Sequence, residues 1–171
     1  MKSSYTTLLE ELLESWHGAR AGVIDEIENI PAERVGFRPA EGMRTVEELG
    51  RHIAEVALMM VGELTRPDGD FTRQSYTAHL REHAAASKTD GRDALIRMLR
   101  DTHAEGDRRF RAVGELAMLQ YIRRFDGQPG TRLAWLCHGI AHEEYHRAQI
   151  AMYARIMGLV PALTRAIQGE G

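Results

Sequence analysis

Apolar residues recur every three or four positions through Leu8, Leu9, Leu12, Leu13, Trp16, Val23, Ile27 and Ile30. That spacing puts them on one face of an amphipathic helix over about residues 5–30. Pro31 stops it, and the stretch Pro31–Met43, with two prolines and two glycines, reads as a loop. Thr45-Val46-Glu47-Glu48 has the form of a capping box, in which hydroxyl and carboxylate satisfy free backbone amides. The helix it opens carries Val46, Leu49, Ile53, Val56, Ala57, Met60, Val61 and Leu64 on one stripe, and Pro67-Asp68-Gly69-Asp70 ends it. A helical turn or two is expected around Tyr76–Ala86. Thr89 or Asp90 then caps a third long helix with the stripe Leu95, Met98, Leu99, Phe110 and Val113. Residues Gly114–Gly130 read as irregular, with Leu119–Ile122 a candidate short extended piece. A fourth long helix runs from about Thr131 to Met157, with Gly158 as its C-cap and Pro161 preventing continuation. With no repeat, no dividing linker and no convincing strand pair, the chain reads as one all-α domain over residues 1–171, a four-helix bundle.

Composition leaves this picture in place and narrows the function. The 171 residues are 43% hydrophobic and 27% charged, ordinary for a globular protein large enough to fold without staples. A net charge of −3 and basic residues scattered along the chain argue against a nucleic-acid partner, and the arginines read as solvated helix faces. The single cysteine, Cys137, excludes an intrachain disulfide and reads as a small buried hydrophobe. No stretch reaches the ~20 apolar residues of a membrane span, and no signal peptide is evident. A cytoplasmic protein without a membrane partner is expected.

The eight histidines carry the candidate chemistry. His138, His142 and His146 lie on the fourth helix, each four residues from the next. Neighbours at that spacing sit roughly 5–6 Å apart on one face, where two imidazoles can grip one metal ion. His138 and His146 are about 12 Å apart along the axis, so one ion takes one neighbouring pair. A third ligand must come from another helix. His52 lies three after Leu49 and four before Val56, inside the apolar stripe of the second helix, where a histidine must find a partner or bind something. His79 and His83 share the spacing, but their segment is poorly amphipathic and charges flank both rings, so they read as no site. His17 and His103 read as surface or boundary residues.

His142-Glu143-Glu144-Tyr145-His146 spells H-E-x-x-H, the pattern in which a zinc peptidase uses the glutamate as general base. The extended form fails, because Gln149 and Met152 stand where its Gly and His are required. The other form needs a downstream helical glutamate, and only Glu170 remains. A metallopeptidase is therefore the weaker reading.

Two segments resemble a known family. Arg44-Thr45-Val46-Glu47-Glu48-Leu49-Gly50-Arg51-His52-Ile53-Ala54, preceded by Phe37–Met43, is similar to the second-helix signature of the DinB/YfiT-like superfamily. His142-Glu143-Glu144-Tyr145-His146-Arg147-Ala148-Gln149-Ile150 resembles its other signature, H-x-x-x-H-R-x-Q-hydrophobic, with Ala148 where glycine is frequent. The resemblance implies a bundle of up-down-down-up connectivity, often a homodimer. It implies a divalent metal, nickel or zinc, on His52, His142 and His146. It also implies S-transfer or isomerisation of a small-molecule substrate with a low-molecular-weight thiol such as bacillithiol or mycothiol. Three neutral imidazoles leave an ion its full charge and an open position, the arrangement of catalytic sites. Tyr145, Gln149 and Glu55, each within a turn of a ligand, are candidate orienting residues, and His138 is a candidate pocket-lining one. Two other readings stand beside the enzyme: a metal-binding module without turnover, and a bundle whose histidines are structural.

Overall fold

The computed structural model describes residues 7–84, 89 and 91–169. Its elements are α1 (Leu8–Glu28), α2 (Val46–Leu64), α3 (Tyr76–His83), α4 (Arg92–Met118), β1 (Tyr121–Arg123), β2 (Pro129–Thr131), α5 (Arg132–Ile156) and α6 (Ala162–Gln168). The four expected long helices are α1, α2, α4 and α5. The capping box forms as its residues dictate: the Thr45 hydroxyl accepts from the Glu48 amide, and the Glu48 carboxylate accepts from the Thr45 amide. Gly158 follows the end of α5 with φ of 81°, a left-handed conformation that costs a glycine little.

Three expectations need correction. The cap of α4 is Gly91; Asp90 lies outside the described residues, and the Thr89 hydroxyl donates instead to Glu47. Helix α4 runs past Gly114, which breaks it with φ of 77° and ψ of 169°, on to Met118. Beyond it, β1 and β2 pair as an antiparallel hairpin where no strand pair was expected. Only Ile122 of β1 is buried, so the hairpin has almost no alternating pattern to be read from sequence.

Packing sets the connectivity. Leu9 and Glu10 at the start of α1 meet Glu115 and Arg111 near the end of α4, while Glu28 at the end of α1 pairs with Arg100. These helices are antiparallel. Gly50 of α2 lies against Leu95 of α4, and Thr65 just after α2 bonds to Arg109, so α2 and α4 run parallel. Leu64 at the end of α2 meets Arg132 at the start of α5, making that pair antiparallel. The order is therefore up-down-down-up, with α1 and α2 on one diagonal and α4 and α5 on the other. Short α6 folds back onto α1, where the buried Glu26 carboxylate accepts from the Ala162 and Leu163 amides.

The apolar interior falls into two clusters. One holds Leu13, Trp16, Val61, Phe110 and Leu136; the other holds Val23, Ile27, Leu49, Ile53, Leu99 and Ile150. Residues between them on three of the helices are polar, Arg20 on α1, Thr102 on α4, and Glu143 and His146 on α5, while His52 on α2 sits beside Leu49 and Ile53 of the second cluster. Not every arginine is a solvated one, for Arg20 and Arg132 are buried. The Arg132 guanidinium donates to the carbonyls of Leu64 and Pro67, filling acceptors at the end of α2 that helix geometry leaves open.

Close packing at this layer's edge is testable at two glycines. A Cβ on Gly106 would overlap the Trp16 ring and Val61, whereas one on Gly18 meets nothing. Gly106→Ala should lower stability to urea by about 1–3 kcal/mol through overpacking. Gly18→Ala should raise it by about 0.5–1 kcal/mol, the helix-interior cost of glycine. Equal stabilisation by both would refute the packing described.

Candidate metal centre

His52 projects from α2 seven residues after its cap, and its neighbours Leu49 and Ile53 are buried, so the ring lies at the edge of the core, half-buried. On α5, Leu136, Ile140, Glu143, Ile150 and Tyr153 form the inward stripe; His146 is buried beside it and His142 is partly covered. The three rings converge. His142 Nε2 stands 3.2 Å from His52 Nε2 and 3.0 Å from His146 Nε2. The tautomer of His146 follows from its neighbour: Gln149 Oε1 can only accept, so Nδ1–H donates to it at 2.7 Å and the Nε2 lone pair faces inward. Ring nitrogens at that distance share either a proton or a cation. A tetrahedral ion with bonds of 2.0–2.1 Å would space its ligands about 3.3 Å apart, close to what the rings adopt.

Glu143, the base of the peptidase reading, is taken. Its carboxylate accepts from Arg20 Nε at 2.8 Å, Arg20 Nη2 at 2.7 Å and Trp16 Nε1 at 2.6 Å, and both charged side chains are 2–3% exposed. Arg20 donates onward to the Leu99 carbonyl and the Thr102 hydroxyl, tying α1, α4 and α5 together. A bidentate guanidinium and an indole, both from α1, thus hold this carboxylate in a buried charge-assisted pair.

A family model described as the DinB family matches residues 1–169. The chain belongs to the DinB family. A search of curated proteins finds no match. Among solved structures, YfiT from Bacillus subtilis, described as a probable metal-dependent hydrolase with an unusual four-helix bundle topology, superposes with a TM-score of 0.70 at 16% identity, covering 93% of each chain. YjoA, a DinB-like protein from Bacillus subtilis, gives 0.67 at 19% identity over 86% of this chain and 92% of its own. A mycothiol-dependent maleylpyruvate isomerase gives 0.65 at 19% identity over 88% of this chain and 63% of its own. These likenesses establish the shared fold.

Electrostatics in this DinB chain keep the imidazoles neutral. Burial, the Arg44 charge and His146 push the His52 pKa down from 6.5 to about 4. Burial and the other two histidines, with Arg44, push His142 down to about 3. His146 is lowered too, chiefly by burial, against the opposing bond to Gln149. Arg44, just ahead of α2, thus acts on all three rings, and it forms no ion pair or hydrogen bond among the described residues. It lines a polar cleft of about 390 Å³ beside His52, together with Arg38, Glu48, Arg51 and Glu55.

The other candidates separate. Gln149 touches His146 directly. Tyr145 is largely exposed and sets its ring against His146 at 5.1 Å. Glu55 lies on the cleft wall. His138 is exposed and packs its ring at a tilt against Trp135 at 4.7 Å, without a ring contact or hydrogen bond to the three imidazoles. Cys137 is exposed, not buried, because Leu133, Leu136 and Ile140 define the inward stripe and position 137 falls outside it. Arg44 and the Arg20–Glu143 pair were missed. The pair had a signal: both residues occupy positions of opposing apolar stripes, where opposite charges must meet.

Two outcomes follow. Glu143→Gln should cost about 3–5 kcal/mol in urea unfolding, since it leaves Arg20 as a buried uncompensated charge. Loss under 1 kcal/mol would show that the pair is not desolvated. For pH, a depressed histidine pKa means the unfolded chain gains protons that the folded one refuses, so stability falls as pH drops below 6.5 and levels off near 4 to 3. The melting temperature of chelator-treated protein should therefore fall more steeply between pH 6.5 and 4 than that of His52→Gln/His142→Gln. Parallel curves would contradict the shifts.

Proposed function

We propose that this chain is a metal-dependent enzyme that holds one divalent ion, nickel or zinc, on His52, His142 and His146, and performs thiol-linked transfer or isomerisation on a small anionic substrate. The convergence of three Nε2 atoms within 3.0–3.2 Å along the His52–His142–His146 path carries the reading. The three-histidine donor set suits such ions, and it leaves a coordination position open. When bound, the ion would lower the pKa of a thiol or water on that position and so supply a nucleophile at neutral pH.

The surrounding residues have separate tasks. Gln149 holds His146 in the ligating tautomer. Arg44, beside the open cleft and without a partner among the described residues, would pair with a carboxylate of the substrate. The isomerase fold-relative, which uses mycothiol, supports thiol chemistry; YfiT, described as a probable hydrolase, supports water as the competing nucleophile. The nucleophilic thiol is not the chain's own, since Cys137 lies on an outer face of α5.

His52→Ala, His142→Ala and His146→Ala should each release one equivalent of metal by elemental analysis of untagged protein. Thiol consumption should be screened against anionic electrophiles, with unsaturated dicarboxylates and epoxides included. Turnover should vanish with chelator and in His142→Ala, and Arg44→Met should raise KM about tenfold or more, the loss of a charge-assisted bond. Turnover indifferent to His142→Ala would sink the proposal, and metal without turnover would leave a binding module.

A further inference from the structure

The end of α2 and the helix α3 enclose a second group of metal-ligating side chains, and the Glu63, His79, Glu82 and His83 donor atoms all lie within 4.8 Å of one another. Charges flank His79 and His83 along the chain, yet His79 is completely buried and Glu63 is 1% exposed. Burying a carboxylate is costly unless cations or donors surround it. Glu63 Oε1 draws three groups to itself: the Arg73 guanidinium, His79 Nδ1 at 3.0 Å and His83 Nε2 at 2.6 Å.

The chemistry of His79 is the informative part. Its Nε2 lies 3.0 Å from the Phe71 carbonyl, which can only accept, so that nitrogen carries a proton. In the neutral ring, Nδ1 then presents a lone pair to a carboxylate oxygen. Two acceptors at 3.0 Å need a proton or a cation between them. A ring nitrogen fixed by a backbone carbonyl while the other faces a carboxylate is the usual arrangement of a metal-ligating histidine. His83 reaches the same oxygen because position 62 is glycine; any Cβ there would overlap its ring. The remaining donors around the pocket are the Gln74 amide, 3.1 Å from His79 Nδ1, and Arg73, which also pairs with Glu82 at 3.1 Å. Arg66 lies 3.7 Å from the other Glu82 oxygen.

We propose that this pocket is a second divalent-cation site, closed and structural, with Glu63 Oε1, His79 Nδ1, His83 Nε2 and a Glu82 oxygen as ligands. Two imidazoles and two carboxylates suit zinc in tetrahedral geometry and leave no open position. Arg73, a quarter exposed, stands in for the ion and swings outward when it binds. The ion clamps α3 to α2.

Zn2+ titration of the chelator-stripped full chain against a chromophoric chelator tests this, with thermal melting in parallel. Wild type should take up two equivalents. His142→Ala should keep one, which raises the melting temperature, and His142→Ala/His83→Ala should lose both the equivalent and the rise. A His142→Ala variant that binds no equivalent overturns the proposal, as does an equivalent kept by His142→Ala that survives the added His83→Ala. Wild type that binds one equivalent, unaffected by His142→Ala and lost in His83→Ala, would instead strike the three-histidine reading, so the two failures are distinguishable. If His83→Ala does not fold, Arg73→Met decides. Removal of the competing cation should tighten the equivalent that remains in His142→Ala/Arg73→Met, and unchanged or weaker binding overturns the proposal.

Discussion

A buried polar layer crosses the bundle between its two apolar clusters, and the rest of the structure is arranged around it. At its centre Glu143 is clamped by Arg20 and Trp16. Charges taken out of water are tolerated only when every donor and acceptor is used, and here the guanidinium spends its further bonds on α4. The result couples three helices at one height. That height is also where His142 and His146 leave α5, one residue before and three after Glu143. Fixing the rotation of α5 about its axis therefore fixes which way the two imidazoles point.

The same layer explains how one sequence motif reads as two different machines. H-E-x-x-H on a free helix puts a carboxylate within reach of a metal between the histidines. In this bundle the glutamate occupies an inward core position facing α1, while the histidines face His52 on α2. Arg20 decides the matter, because an arginine at a core position of α1 demands a carboxylate opposite. The motif supplies two convergent imidazoles and a structural anchor.

Arg44 and Gln149 shape the site by complementary means. Gln149 orients one ring through a hydrogen bond, while Arg44 disfavours a proton on all three through its charge. Both leave lone pairs available at neutral pH. The ring nitrogens gathered in this way stand close enough to share a proton or a cation.

Helix number, the cap at Thr45, the stop at Gly158 and the ring pair on α5 were legible because they depend on residues within a few positions of one another. A capping box or an i, i+4 pair is local geometry and follows from the order of residues. His52 was legible as an inward histidine, but its meeting with His142 and His146 rests on α2 and α5 being antiparallel neighbours, which α1's diagonal crossing to α2 makes possible. The hairpin after α4 was hidden because only Ile122 carries its burial signal. His79 read as no site since charges flank it in a poorly amphipathic segment; the loop from Pro67 to Gln74 wraps Phe71 and Arg73 over it, and burial made by a distant segment leaves no periodicity. The sequence determined the helices and which face of each is apolar. Tertiary structure alone decided which polar residues share a layer, because long-range pairing of charges and rings depends on helix order and rotation, which no local spacing encodes.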